Sequence, residues 1–199
     1  MRMNERFANI EYGMQESVLR RIYNFVDEKS SSARKGSFRN DKEIRSLSSI
    51  QKDQFFGKVG EFIASDVLNT RDPDTDIHKS NSDDGIDLID HNGKRYGVKE
   101  SKSIAQSYLI TNDNYSKVEL DNIDFHVFVR IDNYRYIDTG RIFYDIGILS
   151  HLLFNKMKKE LKAGEFIPGT NHVLKANNFC VYVDKFSVPE IKRNTALVI

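Results

Sequence analysis

The segment Gly85-Ile86-Asp87-Leu88, an Asn92-Gly93 turn and the run Val98-Lys99-Glu100-Ser101-Lys102 bring two acids and lysines to one end of an expected β-hairpin. Asp, Glu and Lys in that arrangement are suited to metal-assisted cleavage of a phosphodiester. The substrate is an anion, so attack by hydroxide needs a cation that screens the phosphate, lowers the pKa of bound water and stabilises the departing oxygen. Mg2+ is satisfied by one or two carboxylates together with retained waters and phosphate oxygens, so one or two ions are expected here. A neighbouring ammonium adds positive charge where the phosphorus centre becomes more negative.

Hairpin register decides which of these side chains meet. Side chains two apart in a strand share a face, and residues opposed across a hairpin point the same way. If Asn92-Gly93 is a two-residue turn, Asp87 faces Val98 and shares its side with Glu100 and Lys102. If His91-Asn92-Gly93 is a three-residue turn with Gly93 left-handed, Asp87 faces Gly97 and shares its side with Lys99, while Glu100 and Lys102 point away. The acid-x-lysine spacing and the Asn-Gly pair favour the first register. A single apolar face of Ile86, Leu88, Tyr96 and Val98 favours the second, and a bulge at Gly97 would reconcile the two.

Around this hairpin, periodicity outlines the scaffold. Val18, Ile22, Phe25 and Val26 predict an amphipathic helix across residues 14–28, and Phe55, Phe56, Val59, Phe62 and Ile63 predict a second across 54–69. Glu61 lies off that second stripe. Gly57, Gly60 and Ala64 lie nearer to it, and such small residues let a helix face approach a sheet closely. Strands are predicted within 77–110, over Ile123–Ile131, over Phe179–Val183 and, as a continuation of the sheet, at Tyr134–Ile137. A helix is predicted over Ile142–Leu161. The order helix, strands, helix, strand gives an α/β (α+β) fold class with a central mixed sheet flanked by helices.

With 199 residues, 39% of them hydrophobic, the chain can bury one sizeable core and is too short for two full enzymatic domains. One domain over 1–199 is expected, with a helical part over about 1–54 and a core over about 55–199. The single cysteine, Cys180, excludes an internal disulfide and reads as a buried strand position. No apolar run approaches the roughly 18 residues of a membrane span, and the N-terminus lacks the apolar stretch of a secretory signal, so a cytoplasmic protein without a membrane partner is expected.

The net charge of +1 does not announce a nucleic-acid binder, but its distribution is uneven. Between Lys29 and Lys58 eight basic residues stand against three acidic ones. Arg34, Lys35, Arg39, Lys42 and Arg45 therefore form a candidate phosphate clamp, with a solvated loop as the plainer reading. From Asp72 to Asp90 seven aspartates accompany only Lys79. Such a concentration beside the candidate site suggests a metal.

Gly57-Lys58-Val59-Gly60-Glu61 on a helix, Gly85-Ile86-Asp87 and Glu100-Ser101-Lys102, in that order, resemble the PD-(D/E)XK nuclease superfamily, the restriction-endonuclease-like fold. The likeness covers roughly residues 55–130. It implies that Asp87 and Glu100 hold Mg2+, that Lys102 helps position or activate the attacking water, and that Glu61 is a supporting acid. In the alternative register Lys99 takes the lysine's part, and the family's second acid falls on Gly97 unless Glu100 or Glu61 supplies the carboxylate. The resemblance implies a magnesium-dependent endonuclease acting on double-stranded DNA, with a type II restriction enzyme expected. A cutter of symmetric sites needs one active site per strand, hence a homodimer. The alternatives are a phage, recombination or repair nuclease of the same fold, or a DNA-binding module without catalysis.

Overall fold

The computed structural model describes residues 10–29, 48–70, 86–102, 105–120 and 122–189. It is a mixed α/β structure whose curled five-stranded mixed sheet is flanked by helices. Strand β1 (Ile10–Tyr12) leads into helix α1 (Glu16–Lys29), which buries Leu19, Ile22 and Val26. Helix α2 (Ser49–Leu68) starts at a capping box in which Ser48 and Gln51 satisfy each other's backbone N–H groups. It ends at Asn69, whose left-handed backbone turns the chain. Phe55, Phe56, Val59, Phe62 and Ile63 are buried along α2, as the periodicity predicts. The expected boundary near residue 54 falls inside this one helix.

Strands β2 (Leu88–Ile89) and β3 (Arg95–Lys102) form the hairpin. After β4 (Ser107–Thr111) and α3 (Asn112–Leu120), β5 (Phe125–Ile131) returns parallel to β3. The first sheet runs β1-β6-β5-β3-β2, where β6 is Ile142–Ser150. A second sheet, β4-β8-β7, uses β7 (Lys159–Leu161) and β8 (Asn178–Tyr182). The alternation in β5 serves both layers. Val127, Val129 and Ile131 pack with α1 and α2, while Phe128 packs with Tyr108, Val181 and Phe186 on the other side. Cys180 is buried in β8, and its burial pushes the thiol pKa up.

Three expectations are corrected. Tyr134–Ile137 does not extend the sheet but lies in helix α4 (Asn133–Thr139), with Asp132 capping Arg135 N–H and Gly140 closing it in a left-handed conformation. Tyr136 packs edge-on against Phe56, which an outward strand position would not allow. The helix expected over Ile142–Leu161 is instead β6, a short helix α5 (His151–Met157) and β7. A continuous apolar run buried on both faces has no period to separate strand from helix, and its aromatic and β-branched residues favour the strand.

The third correction is the register. Leu88 pairs with Tyr96 and Ile89 with Arg95, so the loop is the three-residue His91-Asn92-Gly93 turn with Gly93 at φ +79°, and the two-residue register fails. Asp90 decides this. Its Oδ1 accepts both Asn92 N–H at 2.8 Å and Lys94 N–H at 2.9 Å, while Tyr96 Oη donates to Oδ2. A carboxylate folded back onto its own turn selects the wider loop. Of the strands expected within 77–110, residues 77–85 lie outside the described residues.

The second layer contains a polar thread. Tyr108 Oη lies 3.1 Å from His126 Nδ1, and His126 Nε2 lies 2.9 Å from His151 Nδ1. Burial, reinforced by His151, pushes the His126 pKa down to about 3. Arg130 and Asp145, directly opposed on β5 and β6, form a fully buried ion pair.

Candidate active site

The site forms where β2 stops and the edge of β3 loses its neighbour. Asp87, just before β2, donates its own N–H to Tyr96 O at 2.9 Å and accepts Val98 N–H on its carboxylate at 2.6 Å. Its side chain thus occupies the position a longer strand would fill. Helix α2 crosses this edge closely because Gly60 has no side chain. A Cβ built there would lie 3.0 Å from Glu100 Cβ, so glycine permits the approach. The crossing carries Glu61 to Asp87 and sets Glu100 against the helix.

Electrostatics define the pair. Burial, followed by repulsion from Glu61, raises the Asp87 pKa, and the Val98 N–H, Lys58 and Lys99 only partly oppose this. Lys58 Nζ donates to Glu61 Oε2 at 2.5 Å. Beside the pair opens a cleft of about 480 Å3 lined by Asp53, Gly57, Glu61, Val98, Lys99, Glu100, Ser101 and Asn133. It sits near the C-terminal ends of the parallel strands β3 and β5, a common place for a site in an α/β sheet.

Of the residues expected at the site, Glu61 and Lys99 lie near enough to Asp87 for their charges to act on it. Glu100 lines the same cleft from the neighbouring position on β3. Lys102 ends β3 with its backbone opposite Ile131, and its side chain lies outside the described set. The two-residue turn on which the Asp87–Glu100–Lys102 grouping was expected is not the one formed, since Leu88 pairs with Tyr96. Arg34, Lys35, Arg39, Lys42 and Arg45 all lie outside the described residues, as does the acidic run before Asp87.

Lys58, Asp53 and Asn133 were not anticipated from the sequence. Lys58 had a legible signal, its i,i+3 spacing to Glu61. Asn133 gave none until β5 was known to end just before it. No protein-family model, no curated protein and no solved structure matches this chain. No described helix is long and apolar enough to cross a membrane.

The donors fit a hard divalent cation in kind. Asp53, Glu61 and Glu100 offer carboxylate oxygens to the cleft, and Asn133 Oδ1 is buried with no hydrogen-bond partner among the described residues. A buried carboxylate whose proton affinity is raised by a neighbouring acid gains from an added cation. Among the described residues no three Asp, Glu, His or Cys side chains already stand at ligating distances, so binding would have to draw the acids inward.

Proposed function

We propose that this chain is a magnesium-dependent DNA endonuclease of the PD-(D/E)XK kind, and within that class a type II restriction enzyme acting as a homodimer on double-stranded DNA. The supporting observation is the encounter of Asp87 with Glu61, acids from separate elements, beside a cleft that adds Glu100 and Lys99. Asp87 and Glu61 would hold Mg2+, with Glu100 and Asp53 as further oxygen donors. When bound, the ion supplies charge screening at the phosphate and acidifies water.

The chain's own residues do the rest. Val98 N–H fixes one oxygen of Asp87 beside the cleft that Val98 itself lines. Lys99, exposed on β3, presents an ammonium to the non-bridging phosphate oxygens, where charge accumulates in the transition state. Gly60 keeps the two acid-bearing elements in contact. A second reading, a DNA-binding module without catalysis, is favoured by one observation: with Leu88 paired to Tyr96, the next position along β3 is Gly97 rather than an acid.

Incubating the purified protein with plasmid DNA and Mg2+ separates these readings. Discrete fragments support restriction, nonspecific nicking a repair-type nuclease, and binding without cleavage the inactive module. Asp87→Ala should abolish cleavage while the far-ultraviolet circular dichroism stays unchanged, and full activity in that variant would remove the proposal. Lys99→Ala should slow cleavage by about 100-fold or more, on the scale of losing one transition-state charge contact. Lys102→Ala should keep most of its rate, and the reverse ranking would return the lysine's part to Lys102.

A further inference from the structure

The Lys58–Glu61 ion pair on α2 differs from the Arg20–Glu16 pair on α1. Arg20 and Glu16 on α1 stand at 3.1 Å with side chains 52% and 64% exposed, the kind of surface contact that contributes little. Lys58 and Glu61 stand at 2.5 Å with 17% and 15% exposure. Lys58 also acts on a second acid, since its charge reaches Asp87. One ammonium thus serves two carboxylates in a partly desolvated corner.

We propose that Lys58 is a resident stand-in for the divalent cation: its ammonium holds Asp87 and Glu61 together in the metal-free protein and is displaced when the ion enters. This rests on the cation-dependent reading above and adds to it a competition built into the chain. The charges set the direction of exchange. Two ionised carboxylates carry two negative charges, the Lys58 ammonium at Glu61 returns one while exposed Lys99 acts on Asp87 from β3, and a divalent ion brings two at a single point. Lys58 alone therefore leaves the ionised pair under-neutralised, and an ion seated between the acids offers them twice its charge.

Space and reach allow the exchange. Gly57, one residue before Lys58, has no atom within 4 Å of a built Cβ, and it lines the cleft beside Glu61. Lysine's flexible four-carbon stem lets its ammonium swing by several bond lengths without moving α2. Once displaced, it stays at the mouth of a cleft whose ligand is polyanionic. Lys58 is thus a positioning residue for the acids, and its release ties cation entry to a new positive charge facing the phosphate.

Calorimetric titration with Mn2+ alone tests the competition without relying on cleavage. Lys58→Met should bind Mn2+ at least tenfold more tightly than the native chain, and its metal-free melting temperature should fall and then recover at saturating Mn2+. Equal or weaker affinity in Lys58→Met, with the native chain binding normally, overturns the stand-in role and leaves the nuclease reading in place. Binding by neither protein overturns both.

A second measurement needs only the folded native chain. The Lys58 ammonium should give a protected 1H–15N signal, assigned by its absence in Lys58→Arg, and saturating Mg2+ should abolish it. Persistence of that signal at saturating Mg2+ would likewise overturn the proposal.

Discussion

Asp87 does two things at once: it closes the open edge of β3 through Val98 N–H, and it faces another acid across the gap to α2. Burial and Glu61 push its pKa from the ordinary 3.8 up to about 7. The folded state therefore keeps this proton to higher pH than the unfolded chain, and its contribution to stability declines as pH rises from about 4 to about 7. Asp87→Asn keeps the acceptor for Val98 and cannot ionise. Metal-free melting curves should show the native chain losing ground to this variant across that window, and Mg2+ should recover the loss for the native chain only. Parallel pH profiles would show that Asp87 has no such penalty. At this scale much of the site was legible: Asp87, Glu61 and Lys99 stood in recognisable segments. The hairpin register was not legible, because Asp90's reach back to Asn92 and Lys94 is a side-chain effect that strand alternation does not report.

Among the elements, α2 and β3 are held at a spacing that two glycines test separately. Gly60→Ala would set a methyl 3.0 Å from Glu100 Cβ and 3.3 Å from Glu100 Cγ, an overpacking worth about 1–3 kcal/mol. This exceeds the roughly 1 kcal/mol that alanine adds in a helix, so a net loss is expected. Gly57→Ala meets nothing within 4 Å and should gain about 0.5–1 kcal/mol. Denaturant midpoints moving in opposite directions would bear this out, and a common direction would mean that the crossing relaxes freely. Helices α1 and α2 were readable because each buries one stripe and leaves the other face polar. Strand β6 was not, since a layer covers each of its faces and the alternation disappears. Helix α4 was missed because its seven residues offer too few turns for a period to register.

Over the whole molecule, two layers share β5, and that strand buries His126 on the second layer's side. Because burial holds its pKa near 3 against an ordinary 6.5, the folded state binds fewer protons than the unfolded chain once pH drops below about 6.5. Stability should then decline on the order of 3 kcal/mol by about pH 4. His126→Gln, which cannot take up the proton, should flatten that decline in thermal melts, and an unchanged slope would place the acid sensitivity elsewhere. The same strand carries Arg130 directly opposite Asp145, both sealed from water. A one-residue slip between β5 and β6 would maroon two opposite charges among aliphatic and aromatic neighbours. Each half of the pair thus acts as a tooth against mis-threading, and the alignment it enforces carries through β5 to the parallel partner that bears the acid-lined edge.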